Sequence, residues 1–204
     1  DRLRMNVVLW MSPYAIGRDS SYYRKTSRSH VLFDRSNTEY NGGLDFAPMT
    51  LRLGRRYDEN VNLCPRHSGT REHLKSLFER VSANYRPNGY SLDFQEPIPF
   101  LCESFHSHGR DFGEGFNLTQ DTIKQTVLSA VDRPTVELRF PVANLNNKPY
   151  ANIWQSIDSP GDFDTMRLCS MMMRPFSRGV VMGTDEMYWP PDADPATVSK
   201  FAAT

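Results

Sequence analysis

From Leu3 to Ser12 the chain is close to a continuous apolar run, with Met5, Val7, Val8, Leu9 and Trp10 crowded together before Pro13. A run of this kind predicts a strand buried on both faces. Residues 14–62 read differently. They are polar, carry several arginines and keep no sustained period, and they predict a long structured loop or insertion. Loops of that length in a compact domain are usually functional or disordered.

Periodicity returns after Cys64-Pro65. Leu74, Leu77, Phe78 and Val81 fall at i, i+3, i+4 and i+7, which predicts one amphipathic helix from Thr70 to Asn84. Ser68 or Thr70 is placed to cap it, and Glu72 to meet the positive end of the helix dipole in the first turn. Pro87-Asn88-Gly89 ends it, and Tyr90 to Phe94 reads at once as a short strand. A polar, aromatic loop from Gln95 to Asn117 precedes a second helix from Thr119 to Ala130, with Ile123, Val127 and Ala130 on one face. Strands follow at Thr135 to Phe140, Ala151 to Trp154 and Gly179 to Met182. Between the last two, Asp162 to Met173 predicts a helix, with Met171 to Met173 read as core packing, and Asp194 and Pro195 open a final helix.

About five strands alternating with helices predict an α/β fold with a parallel sheet. A closed (β/α)8 barrel typically needs ~250 residues. The chain has 204, so it reads as a single barrel region, 1–204, holding about strands 3–8 of a TIM-type barrel. The abrupt start at Asp1-Arg2-Leu3 fits a fragment or a processed product. Such a partial barrel exposes strand edges, and a missing N-terminal segment or a partner chain is expected to cover them.

Charge and composition narrow the function. The 24 basic and 24 acidic side chains cancel, which argues against bulk binding to nucleic acid or to an anionic membrane. No apolar run approaches the ~20 residues that span a bilayer. Three dispersed cysteines do not make a disulfide framework, and no Cys-x-x-Cys pair suggests zinc. The Asn117-Leu118-Thr119 sequon is a short motif that says little about compartment.

Two acids stand where a parallel α/β fold does chemistry. Asp93 closes the Tyr90-Ser91-Leu92 strand, and a carboxylate at the C-terminal end of a barrel strand is a catalytic position. It reads as a nucleophile, or as a lip acid that caps a loop amide. Asp158 follows Trp154-Gln155-Ser156-Ile157. Asp162 is the better helix cap, which leaves Asp158 to read as a general acid/base, or else as a turn aspartate before a helix. Two carboxylates are the minimum for cutting a glycosidic bond, and aromatics such as Trp154 offer platforms for sugar rings. Glu137 and Arg139 share a strand face, either as a structural ion pair or as pocket lining. Asp185 sits at another strand end as a rim contact or a turn residue. His106 and His108 with Glu103 form only a weak metal pattern, without helical spacing.

The order of these motifs resembles the α-galactosidase (melibiase-like) clan of retaining glycoside hydrolases. The strand ending in Asp93 and the Trp154-Gln155-Ser156-Ile157-Asp158 segment match that clan's nucleophile and acid/base positions in order and approximate separation. Leu9-Trp10 followed by Pro13 resembles its third strand. The resemblance implies a TIM barrel, a terminal α-linked sugar as substrate, and double displacement through Asp93 and Asp158. It also implies substrate contacts from Trp10, Ser91, Glu137, Arg139, Trp154 and Asp185, and it requires no metal or organic cofactor. Two departures shift the expected sugar. Ser91 stands where the clan has lysine, and Glu137-Leu138-Arg139-Phe140-Pro141 replaces its usual fifth-strand segment. The alternatives are an inactive carbohydrate-binding relative and a metal-dependent hydrolase built on His106 and His108.

Overall fold

A computed structural model describes residues 5–26, 30–33, 39, 60–93, 95, 112–139, 147–155, 167–168, 171–183 and 196. They fall in two compact units, Asp1–Thr135 and Val136–Thr204. The first unit runs β1 (Val8–Met11), β2 (Ala15–Gly17), α1 (Ser21–Thr26), β3 (Asn60–Asn62), α2 (Ser68–Tyr85), β4 (Gly89–Leu92) and α3 (Phe112–Ala130). β1 and β4 lie parallel, from Val8 opposite Gly89 to Met11 opposite Leu92. α2 and α3 pack side by side.

The apolar run at β1 is a strand, but it is not buried on both faces. Val8 and Trp10 are exposed, and Leu9 and Met11 are half-buried. Among the described residues of this unit β1 pairs along one edge only, with β4. Burial on both faces comes from neighbouring elements, which an apolar sequence cannot supply for itself.

The 14–62 region holds more structure than its polar text suggests. β2 and β3 form an antiparallel pair. Val31, Phe33 and Val61 make a small core, with Ile16 and Tyr23 packed against it. The Glu39 carboxylate is drawn inside by Arg18 at 2.9 Å and by the Tyr23 hydroxyl at 2.8 Å. α1 docks on α2 through the Tyr22 ring, stacked 3.6 Å from that of His73, while its hydroxyl donates to the Gly69 carbonyl at 3.0 Å. Partial burial, reinforced by the charge of Glu72, pushes the Tyr22 phenol up to about 12.

α2 starts at Ser68 because His67 caps it: Nδ1 accepts from the Gly69 amide at 3.0 Å. The cap is thus neither Ser68 nor Thr70, and Glu72 lies beyond the first turn. The buried line is Thr70, Leu74, Phe78 and Ser82, one residue per turn, with Leu77 and Val81 half-buried beside it. Arg86 ends the helix in the left-handed region, φ 47°, and its amide returns to the Ser82 carbonyl at 3.0 Å.

The turn into β4 is a bracket built on Asn88. Its Oδ1 accepts from the Val7 amide at 2.8 Å, and its own amide donates to the Val7 carbonyl at 2.7 Å. Its carbonyl accepts from Thr135 at 3.0 Å. Gly89 follows because nothing larger fits: a Cβ there would lie 2.0 Å from the Thr135 carbonyl oxygen.

α3 begins at Phe112 rather than Thr119. Gly113, Gly115 and Asn117 are poor helix formers and hide its first turns in the sequence. Packing overrides them. A Cβ on Gly115 would meet the Arg66 Cα at 2.7 Å, and Thr119 Oγ1 donates to the Pro65 carbonyl at 3.1 Å. The sequon threonine is therefore buried and hydrogen-bonded inside a helix. Ile123 and Val127 face inward as expected, but Ala130 is exposed at the helix end.

β5 (Thr135–Arg139) opens on the last residue of the first unit, and its other residues belong to the second, with a 3-10 turn at Lys148–Tyr150, β6 (Ile153–Gln155) and β7 (Val181–Gly183). β5 and β6 are parallel, and so are β6 and β7. Val136, Leu138, Trp154 and Met173 are buried. Asn152 repeats the bracket of Asn88. Its Oδ1 accepts from Val136 at 2.8 Å, its amide donates to the Val136 carbonyl at 2.9 Å, and its carbonyl accepts from Val181 at 2.9 Å.

Arg167, Leu168 and Met171 to Met173 are helical, but the methionines are not all core: Met171 and Met172 are exposed and only Met173 is buried. A helix covers a sheet with one face, so adjacent residues cannot all turn inward. Met166 and Cys169 lie outside the described residues, as does the final helix apart from Ala196. No helix among the described residues is long and apolar enough to cross a membrane.

Candidate active site

β4 separates packing from the candidate site by alternation. Tyr90 meets the Phe78 ring of α2 edge-on, 4.9 Å between centroids, and shares a 2.6 Å hydrogen bond with the Ser82 hydroxyl. Burial raises the Tyr90 phenol above its ordinary value, and the Ser82 bond opposes this in part. Successive residues of a strand face opposite sides, so Ser91 and Asp93 point away from α2. Asp93 is the first residue past β4, and its amide extends the ladder to the Met11 carbonyl at 2.9 Å.

Asp93 is 6 % exposed, and its carboxylate is held by a named donor. The indole Nε1–H of Trp10 donates to Oδ2 at 2.9 Å. Trp10 stands opposite Ser91 in the β1–β4 register, so Trp10, Ser91 and Asp93 meet at the C-terminal ends of two parallel strands. The Trp10 residue is 54 % exposed even though its N–H is engaged. It can orient a carboxylate and offer an aromatic surface at once.

A second set of side chains backs this strand end, and the sequence pattern did not single it out. Gln95 is buried, donates from Nε2 to the Leu92 carbonyl at 3.2 Å, and accepts at Oε1 from Gln120 Nε2. Gln120 Nε2 also donates to the Tyr14 hydroxyl at 3.3 Å. Tyr14 is buried against Phe116, ring centroids 5.8 Å apart. Burial raises its phenol well above the ordinary value, against the opposing hydrogen bond from Gln120, so Tyr14 stays neutral. The only hint in the sequence was Gln95, at i+2 from Asp93.

Glu137, Arg139, Trp154, Asp158 and Asp185 belong to the second unit. Trp154 is 1 % exposed, so its rings present no open stacking face. Its buried Nε1–H has no partner among the described residues. Glu137 is half-buried on β5 opposite Ile153, between the buried Val136 and Leu138. The backbone of Arg139 is described but its side chain is not, which leaves the Glu137–Arg139 pairing outside the described atoms. Asp158, Asp185, Glu103, His106 and His108 lie outside the described residues. Among the described residues no group of three acids, histidines or cysteines is arranged to hold a metal ion.

No protein-family model matches this sequence, and no curated protein does. Solved structures do. The chain superposes on the α-galactosidase of Thermus thermophilus, crystallised with p-nitrophenyl α-D-galactopyranoside, with a TM-score of 0.63 over 96% of this chain and 40% of that one, at 12% identity. It is similar to the α-galactosidase of Lactobacillus brevis, with a TM-score of 0.60 over 92% of this chain and 24% of that one, at 14% identity. It is also similar to the glycoside hydrolase domain of PelA from Pseudomonas aeruginosa, with a TM-score of 0.59 over 96% of this chain and 74% of that domain, at 11% identity. The fold is therefore α/β, part of a (β/α)8 barrel similar to the barrels of these enzymes. The chain spans about 40% of the length of the Thermus enzyme.

Proposed function

We propose that this chain is the catalytic region of a retaining α-glycoside hydrolase that removes a terminal α-linked sugar. The observation that carries the reading is Asp93, a carboxylate at a parallel strand's C-terminal end with Oδ2 held by the Trp10 indole. In the first step a carboxylate oxygen of Asp93 attacks the anomeric carbon. The glycosidic C–O bond breaks as the Asp158 carboxylic acid protonates the leaving oxygen, and a glycosyl ester forms on Asp93. In the second step water attacks the same carbon, Asp158 takes its proton, and the ester bond breaks to restore both groups. A retaining mechanism requires its two carboxyl groups ~5–5.5 Å apart, whereas ~6.5–9.5 Å implies inversion.

The likeness to α-galactosidases supports a pocket for an α-linked hexose, and Ser91 in place of lysine supports a sugar other than standard galactosides. Ser91, Glu137, Arg139 and Asp185 are proposed to contact its hydroxyls, Trp10 to pack beneath it, and the buried Trp154 to support the pocket from behind. The activity is proposed for one barrel region that includes residues 1–204 and is completed by a preceding segment or a partner chain.

The test is hydrolysis of aryl α-glycosides by the wild type, Asp93→Asn and Asp158→Ala. The expected result is turnover by the wild type, none by Asp93→Asn, and recovery of Asp158→Ala by azide on substrates with good leaving groups. Sugar binding without turnover by the wild type would establish the inactive relative instead.

A further inference from the structure

The buried chain Gln95–Gln120–Tyr14 has no part in the two chemical steps, yet it is costly to build. Amide and phenol groups inside a protein lose their water, and apolar side chains of similar volume would fill the same space without that penalty. The chain is also well aimed. Gln95 reaches back from two residues beyond Asp93 to the Leu92 carbonyl one residue before it, so the Asp93 backbone is clasped on both sides. Gln120 fastens that clasp to α3 and, through the Tyr14 hydroxyl, to the segment that leaves β1. β1 itself ends in the Met11 carbonyl that accepts the Asp93 amide, and it carries the Trp10 indole that binds the Asp93 carboxylate. The contacts close a ring: Asp93, Leu92, Gln95, Gln120, Tyr14, β1, and Asp93 again.

We propose that Gln95, Gln120 and Tyr14 are positioning residues for Asp93. They lock the two strand ends together so that the Trp10 indole and the Asp93 carboxylate keep one orientation toward the substrate. The proposal rests on Asp93 being the nucleophile, and it predicts a spectroscopic signature that does not need turnover. The relay does not titrate, because Tyr14 stays protonated and both partners are amides, so its effect is the same across the neutral range.

The test uses Gln120→Met, which keeps side-chain length without the donors, and Tyr14→Phe, which removes one hydroxyl and keeps the ring against Phe116. Ser82→Ala is the control. It breaks the buried bond to Tyr90 on the helix side of β4 and is expected to leave kcat unchanged. The first readout is the indole N–H resonance of Trp10 in a proton–nitrogen spectrum, assigned by its loss in Trp10→Phe. The second is kcat against KM for an aryl α-glycoside.

Both relay variants are expected to shift the Trp10 resonance and to lower kcat between about tenfold and a hundredfold with KM nearly constant, as misplacement of a reacting group does. The control should move neither. An unmoved resonance in Gln120→Met and Tyr14→Phe overturns the relay, whatever the activity. A shifted resonance in a protein that hydrolyses no glycoside upholds the relay and overturns the proposed function. If Gln120→Met does not fold, Tyr14→Phe decides alone.

Discussion

β4 and β6, the strands that lead to the two candidate carboxylates, begin alike and end differently. Each is entered through an asparagine that makes three bracketing hydrogen bonds with side chain and backbone, Asn88 before β4 and Asn152 before β6. The three distances in each bracket agree within a few tenths of an ångström. At the C-terminal ends the likeness stops. β4 runs into Asp93, with its carboxylate on the Trp10 indole and a polar relay behind it. β6 ends in the buried Trp154 and Gln155, and the Trp154 N–H has no partner among the described residues. One end of the strands solves a general problem, pairing backbone amides as strands start, and the same residue solves it twice. On the proposed function the other end is individual because it serves chemistry. This is the division a (β/α) barrel makes between a stability face and a catalytic face.

If that division holds, substitutions at the C-terminal ends cost rate and those at the N-terminal ends cost stability. The largest effect is expected from Asp93→Asn. Removing a nucleophile of this kind lowers kcat on the order of a thousandfold or more while the melting temperature stays close to wild type. Residual activity near the wild-type level, measured by nitrophenol release, would break the comparison at its strongest point. Gly89→Ala is the counterpart at the other end. Its Cβ would meet the Thr135 backbone 2.0 Å away, and a carbonyl cannot rotate aside as a side chain does. A loss of about 3 kcal/mol or more in urea unfolding is expected, in the range of severe overpacking. Gly179→Ala is the control for a glycine without close contacts. Nothing lies within 4 Å of a Cβ there, and only its φ of +85° opposes alanine, so about 1 kcal/mol is expected.

Next in size is Trp10→Phe, which keeps the ring and deletes the N–H to Asp93. A hydrogen bond to a charged group contributes about 1.5–3 kcal/mol. If that contribution acts in the transition state, kcat/KM falls between about tenfold and a hundredfold, with little change in stability. The bracketing asparagines then test the repeated end directly. Asn88→Ala and Asn152→Ala each delete one acceptor from a partly exposed backbone amide, so each should cost about 1 kcal/mol and leave KM unchanged. Unequal costs would show that the two brackets share geometry without sharing a role.

What could be read in the sequence follows the same division. Asp93 was legible because a helix face, a Pro-Asn-Gly break and a short strand ending in an acid are all local patterns. The parallel α/β architecture was legible from their repetition. The burial of β1 was not, because Val8 and Trp10 look the same in sequence whether or not a neighbour covers them. The first turns of α3 were hidden by Gly113, Gly115 and Asn117, and became helical through contacts with Pro65 and Arg66 far upstream. The pairing of Gln95 with Gln120 was invisible for a related reason. A glutamine in polar text signals nothing until folding brings it against a partner 25 residues away. Met171 and Met172 misled in the opposite sense, as apolar side chains that the fold leaves outside.

The smallest expected effect concerns acid, and it separates the two units. All five histidines of the chain precede Val136, so any response that depends on histidine belongs to the first unit. Within it, His73 stacks on Tyr22, and partial burial, helped by the positive charge of Arg80, holds its imidazole below the ordinary value of 6.5. The sign follows from proton counting. Between the lowered folded value and 6.5, the unfolded chain binds a proton that the folded chain resists, so stability falls as pH drops through that window. The contribution is complete above 6.5. It is modest, because half-exposed groups are well solvated. Tyr22 mirrors this on the alkaline side: its phenol is raised from 10.0 to about 12, so the stability it contributes is lost as pH rises across that interval. His73→Phe keeps the ring on Tyr22 and removes the titration. The urea midpoint of the variant should fall less steeply than that of the wild type between pH 6.5 and pH 5. Parallel slopes in the two proteins would move the acid response away from the α1–α2 contact.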